Sequence, residues 1–261
     1  MSRSTDHDAR PSSRPRGGRV RTVVALVLAA VVFCILIALG TWQVQRLHWK
    51  EGLLATIHER MREPPVPLKR IEAMHSAGKP IEYRPVTVRG TFDKTKERHF
   101  LATHEGAPGF FVYTPLSTED GETLFVNRGF VPDGRQDPAS RPDSLSKGPV
   151  TVTGLAREAP AQKPSWVVPA NEPKRNIFYW KDLQAMAAST GLTDARLVPF
   201  FVDAARKPGS NALPIGGVTV IDLPNNHLQY AVTWYGLALV LLAVLAGSWY
   251  RRRDTGGNER R

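Results

Sequence analysis

The sequence predicts an α+β membrane protein in which two transmembrane helices flank a β-rich domain on the far side of the membrane from the cytoplasm. Three observations lead to this prediction. Two uncharged apolar stretches, residues 22–45 and 225–250, lie near the two ends of the chain. Arginines cluster outside both stretches, at the termini. Between the stretches, runs of alternating polar and apolar residues are separated by turn residues, which is typical of strands.

The first apolar stretch, residues 22–45, contains no charged residue before Arg46. At 1.5 Å per residue a helix of this length crosses a hydrocarbon core about 30 Å thick. A cleaved signal peptide is the competing interpretation. The run is long for a signal and no good small-x-small cleavage site follows it, which favours an uncleaved anchor.

The second apolar stretch, residues 225–250, is rich in Leu, Ala and Val and ends at Arg251-Arg252-Arg253. Aromatic residues lie in its outer parts, where their rings favour the membrane interface. They are Trp234, Tyr235, Trp249 and Tyr250. This stretch is predicted to be the second transmembrane helix.

The positive charge of the chain lies mainly in its two tails. Of the formal net charge of +11, residues 1–21 and 251–261 carry 11 basic and 4 acidic groups, or +7, so the middle carries only +4. This distribution is a topology signal and disfavours nucleic-acid binding. It predicts a protein of the bacterial cytoplasmic (inner) membrane with both termini in the cytoplasm and residues 46–224 in the periplasm. A mitochondrial transit peptide is disfavoured, because the first tail contains Asp6 and Asp8 and is short.

The central domain begins with helical segments and continues with period-two patterns. The first helix is expected to continue to about Met61 and to stop at Pro64, Pro65 and Pro67, and residues 71–77 are expected to form one or two further helical turns. Strands are predicted at residues 83–92, 99–103, 109–116, 123–131, 150–156, 198–204 and 217–221. Strands this close together predict hairpins in an antiparallel sheet or barrel. An amphipathic helix is predicted over residues 176–191, ending at Gly191, and residues 133–149 and 159–173 are predicted loops.

The motifs of the common enzyme classes are missing from the sequence. Cys34 is the only cysteine, so no intrachain disulfide or thiol pair can form. There is no phosphate-cradling glycine loop, no His-Glu-x-x-His and no Gly-x-Ser-x-Gly. The prediction is therefore a protein that is not an enzyme, with no catalytic residues and no metal site.

Three clusters stand out. Trp42, Arg46 and Trp49 follow the first apolar stretch at spacings that place them on one helical face. They predict a docking face for a partner span or for the second helix, although an interfacial aromatic belt with a snorkelling Arg explains the same residue types. Arg128, within Val126-Asn127-Arg128-Gly129-Phe130-Val131-Pro132, is either a docking residue or a structural Arg paired with a carboxylate. His227 lies near the start of the second apolar stretch. It is either a ligand that coordinates a bound group or a residue that caps the helix.

These clusters occur in an order that resembles the Surfeit locus protein 1 family of cytochrome c oxidase assembly factors. Tyr83-Arg84-Pro85-Val86 and Arg89-Gly90-Thr91-Phe92 also resemble that family. Each motif alone is weak, but the ordered set covers residues 40–250 and is specific. The resemblance implies a role in building haem-copper oxidase, at the stage where haem a enters the largest subunit.

The resemblance also implies residues for the cofactor. A histidine of the second span is the suspected haem ligand in bacterial members of the family, and His227 is the histidine at that location here. Tyr230 and Trp234 follow three and seven residues later and are expected to line an apolar macrocycle. His48, just outside the first stretch, is a candidate second ligand. Haem a would be held transiently, and the expected partners are cytochrome c oxidase subunit I, other assembly factors and the lipid bilayer.

Three functions remain open at this point. The first is an assembly factor that delivers or helps to insert haem a. The second is a scaffold that binds an oxidase subunit without any cofactor. The third is a membrane-anchored enzyme with an unrecognised site in the β-rich domain.

Overall fold

The computed structural model describes residues 17–142, 148–192, 196–207, 209, 212–219 and 225–257. The chain divides into two compact units. One comprises Met1–Leu53 and Leu223–Arg261, and the other comprises Leu54–Asp222. The first unit holds two long helices and the second holds a β-sheet.

The two long helices are α1, Gly17–Arg62, and α4, His227–Gly257. Both contain segments that are long and apolar enough to cross a membrane. Helix α1 continues without a break beyond its apolar part and ends at Arg62, directly before the prolines that were predicted to stop it. The predicted end of the first helix near Met61 is confirmed, whereas α1 begins before residue 22 and α4 continues beyond residue 250, the predicted bounds of the two apolar stretches.

Within the residues that the structure describes, the second unit contains eight strands in one sheet. The strands are β1 Val66–Pro67, β2 Pro85–Phe92, β3 Arg98–His104, β4 Ala107–Thr118, β5 Thr123–Pro132, β6 Val150–Glu158, β7 Ile177–Phe178 and β8 Phe200–Ala204. Two short helices accompany them, α2 Leu68–Ser76 and α3 Leu183–Thr190. The strand order is β1-β2-β6-β8-β5-β4-β3-β7.

The sheet closes on itself because β4 is long enough to pair with two neighbours on one side. Its first half pairs with β3, and its last residues, Leu116–Thr118, pair with Gly90–Phe92 of β2. Strands β2, β6, β8, β5 and β4 thereby form a closed ring. At the closure a Cβ on Gly90 would lie 2.3 Å from the Ser117 carbonyl oxygen, so only glycine fits.

The sheet as a whole is mixed, whereas the sequence predicted an antiparallel sheet or barrel. Three pairings are parallel: β1 with β2, β5 with β8, and β3 with β7. Close spacing along the chain identified the hairpins correctly. It carried no information on pairs of strands that are distant in sequence.

Side chains alternate between two cores. Phe200 and Val202 of β8 point into the ring, where they pack with Ile71 of α2. Phe201 points outward and packs with Met186 of α3. This alternation, with both faces of β8 covered, explains why the run from Val198 to Ala204 is almost continuously apolar.

Two predicted elements are wrong in part. The helix predicted over residues 176–191 begins only at Leu183, because Asn176 adopts a left-handed conformation (φ 57°) and the two residues after it form β7. Its predicted end at Gly191 (φ 69°) is confirmed. Of the strand predicted at 217–221, residues 217–219 lie outside any strand and residues 220–221 lie outside the described residues.

Candidate functional site

Small residues bring α1 and α4 close together in the first unit. A Cβ on Gly40 would lie 2.7 Å from the Tyr235 ring, so glycine makes room for that side chain. Ala231 and Ala238, on the same stripe of α4, are buried. Small residues at a helix–helix contact are typical of helices that associate within membranes.

Side-chain hydrogen bonds join the paired helices at two places near the Gly40 contact. Thr41 donates its hydroxyl proton to the Ile37 carbonyl, so the Tyr235 hydroxyl donates to Thr41 Oγ1 at 3.1 Å. Near the start of α4, His227 Nδ1 lies 2.7 Å from Gln43 Oε1. Because an amide oxygen only accepts, Nδ1 carries the proton and donates it.

This contact fixes the histidine in a form suited to coordination. In the neutral ring, a proton on Nδ1 leaves the lone pair on Nε2, and the contact with Gln43 orients the ring. Metal-binding histidines commonly use such a partner on the second nitrogen. The sequence analysis missed Gln43, although it lies within the motif at the end of the first apolar stretch. No local signal in the sequence marks Gln43 as the partner of His227, because only the packing of the two helices brings these residues together.

The other residues predicted to bind the cofactor lie in different surroundings. Tyr230 is exposed and Trp234 is half-buried, one and two turns along α4 from His227. Asn225 Oδ1, just before the helix, is buried and has no hydrogen-bond partner among the described residues. His48 is exposed and follows Gln43 by five residues, which rotates it roughly 140° around the helix. The structure therefore does not bring His48 to His227.

The predicted docking face lies away from the contacts with α4. Trp42 and Trp49 are each 55% exposed, and the Arg46 guanidinium lies 4.0 Å from the centre of the Trp49 ring. The contacts with α4 are made instead by Gly40, Thr41 and Gln43. The aromatic side chains are thus available to lipid or to another molecule.

Arg128 lies in the second unit and is built into its interior. Its side chain is 12% exposed and donates from Nη1 to Glu97 Oε1 at 2.8 Å. The other oxygen of Glu97 accepts from Arg141, whose side chain is fully buried. An arginine in this setting offers little surface to a partner, so the geometry supports the structural interpretation over docking.

His99 lies beside this ion cluster. Burial, together with the positive charges of Arg141 and Arg98, lowers the pKa of its imidazole to about 4. Its Nδ1 lies 3.3 Å from the Asn176 amide nitrogen. A backbone hydrogen bond with Gln136 raises the pKa and offsets only a part of this lowering. The ring is consequently neutral near pH 7.

A carboxylate in the second unit bears on the enzyme hypothesis. Asp203 lines a cavity of about 370 Å³ and is 4% exposed. It accepts hydrogen bonds from Asn127, Arg157 and Thr219. These three donors connect the carboxylate to neighbouring parts of the sheet, which is a structural role.

Comparison with known proteins adds an independent line of evidence. A model of the SURF1 family matches residues 30–239. The chain is 39% identical to Surfeit locus protein 1 of Rattus norvegicus over 82% of this chain and 71% of that protein. It is 39% identical to the Homo sapiens protein over 84% and 75%, and 36% identical to the Takifugu rubripes protein over 81% and 90%. Matches of this extent and identity show that the chain belongs to the SURF1 family.

Proposed function

We propose that this protein is a membrane-anchored assembly factor for haem-copper cytochrome c oxidase, and that it assists delivery or insertion of haem a into the largest subunit. The observation that carries the proposal is the His227–Gln43 pair between two helices of membrane-spanning composition. Membership of the SURF1 family supports the assembly role. The protein acts on a cargo and is not an enzyme.

The residues around His227 suit a haem. Haem iron is commonly held by an imidazole nitrogen, and Nε2 of His227 is the nitrogen that Gln43 leaves available. Tyr230 and Trp234 extend from His227 along α4 and offer aromatic surface to a macrocycle. Asn225 adds a buried side-chain oxygen that has no hydrogen-bond donor among the described residues. One protein ligand suits a cargo that must be released, so His48 is not needed as a second ligand.

The docking face of Trp42, Arg46 and Trp49 would receive subunit I or another assembly factor. Its two tryptophans are exposed, and Arg46 adds a charge held against Trp49. Trp and Arg are enriched among the residues that dominate binding at protein interfaces. The arginine-rich tails would hold both termini in the cytoplasm of a bacterium, with residues 46–224 in the periplasm.

A scaffold that binds an oxidase subunit without haem is the alternative. It is favoured by the docking face, which requires no cofactor.

Complementation of a deletion strain tests the proposal. Oxidase activity should be low in the deletion strain and restored by wild type. Recovery should be smaller with His227→Ala and Arg46→Glu. Gln43→Leu, which removes the acceptor for Nδ1, should also recover less, whereas Gln43→Glu keeps an acceptor oxygen and should recover more. Arg89→Gln, which breaks an exposed ion pair with Glu119, is the control. Normal oxidase in the deletion strain would refute both assembly functions.

A further inference from the structure

The loop between β6 and β7 presents two apolar side chains to solvent. Trp166 is 89% exposed and Val167 is 67% exposed, the highest values among the large hydrophobic residues that the structure describes in the second unit. Exposing an indole and a neighbouring Val costs free energy in water. The structure of the second unit gives these two side chains no role in packing, so their exposure requires another explanation.

The apolar pair is held on a defined turn. At its tip the Val168 amide donates to the Ser165 carbonyl and the Val167 amide donates to Ser165 Oγ, both at 3.3 Å. At its far end the Asn171 side-chain oxygen accepts from the backbone amides of Tyr179 and Trp180. The loop therefore projects Trp166 and Val167 from a fixed base.

The charge around the loop is positive. Residues 159–175 contain Lys163, Lys174 and Arg175 against the single carboxylate of Glu172, a net charge of +2. The carboxylate of Glu172 forms an ion pair with Arg175, so it does not neutralise the charge of Lys163 or Lys174. A tip with Trp and Val, flanked by cations, has the composition that favours the interface of a bilayer containing anionic lipids.

We propose that the tip Ser165–Val168 inserts Trp166 and Val167 into the headgroup region of the lipid bilayer, as a membrane contact additional to the two helices. The inference rests on the membrane anchoring in the proposed function. Tethering by α1 and α4 keeps the second unit near a bilayer at high effective concentration, so even a weak contact of two side chains is populated. A bilayer is favoured over a protein partner because it is held beside the domain at all times and matches both the apolar tip and the cationic flanks.

The test uses full-length protein with Cys34→Ser, reconstituted in vesicles of phosphatidylcholine and phosphatidylglycerol. A polarity-sensitive fluorophore is attached to Val167→Cys or, as the control, to Asp120→Cys on the exposed β4–β5 turn. Nitroxide lipids labelled near the headgroup should quench the probe at 167 several-fold more than the probe at 120, and the emission at 167 should be blue-shifted. Adding Trp166→Ser should reduce the quenching at 167.

Each other outcome contradicts the inference. Equal quenching at the two positions shows a solvent-exposed loop. A blue-shifted probe at 167 that lipid nitroxides do not quench shows a protein contact instead. Flotation with the vesicles after alkaline washing is measured first, because failure to float refutes the anchoring itself, whereas floating protein with an unquenched probe refutes only the loop insertion.

Discussion

Glu97 is a buried carboxylate held between two arginines, and its surroundings explain why Arg128 is a structural residue. Breaking a buried ion pair leaves a charge without compensation, at a cost of about 3–5 kcal/mol. Arg128→Gln should therefore lower the free energy of unfolding by about 3 kcal/mol in chemical denaturation. The matched control is Arg89→Gln, because Arg89 and Glu119 are each 64% exposed and such a pair contributes about 0–1 kcal/mol. Equal effects of the two substitutions would contradict the assignment.

His99 makes the second unit sensitive to acid. Its pKa is about 4 in the folded protein, against an ordinary value of 6.5. The unfolded chain therefore binds the proton first as the pH falls. The contribution of the neutral His99 ring to the free energy of unfolding is therefore fully present above pH 6.5. It is lost progressively as the pH falls from 6.5 to about 4, by up to about 3 kcal/mol.

Thermal unfolding as a function of pH checks this expectation. His99→Gln removes the titrating ring, so the decline of melting temperature across that interval should be shallower in the variant than in wild type. Parallel curves for the two proteins would show that other groups cause the loss.

At the scale of elements, the contact between α1 and α4 depends on Gly40. Gly40→Val would push methyl groups into the Tyr235 ring and should disrupt the pairing that aligns Gln43 with His227. Gly247→Val is the control, because a Cβ there meets nothing within 4 Å. Titration with SDS, followed by circular dichroism, should show a lower transition midpoint for Gly40→Val only. The same midpoint for both variants would argue against close packing at Gly40.

Elements were predictable where their signals are local. The prolines after Arg62 fix the end of α1, and the turn residues around Asp120 and Gly121 separate β4 from β5. The sequence contained no signal for elements that form by pairing with a segment far away along the chain. Ile177 has helical spacing with Trp180 and with later apolar residues, yet it pairs with β3 because Asn176 turns the chain before it.

The candidate site shows the same division. His227 was selected from its place at the start of the second apolar stretch and from the resemblance to the Surfeit locus protein 1 family, and its role as a ligand stays a prediction. Its partner Gln43 was not selected, because the two residues are 184 positions apart and only the packing of the helices brings them together. Arg128 was predicted to be either a docking or a structural residue. The sequence could not decide between these roles, because a charged residue in a strand does not show whether a carboxylate such as Glu97 lies opposite it.

For the whole molecule, a basic tail at each end and two helices of spanning composition fit a protein that works at the membrane. The central claim is that this protein carries haem a through His227. The most direct measurement is the visible absorption spectrum of wild type and His227→Ala, each purified from cells that make haem a. Wild type should contain haem a, and the variant should contain less, with a shifted Soret band. Equal haem content with an unchanged Soret band would rule out His227 as the ligand, and a colourless wild-type protein would contradict the claim that haem a is carried at all.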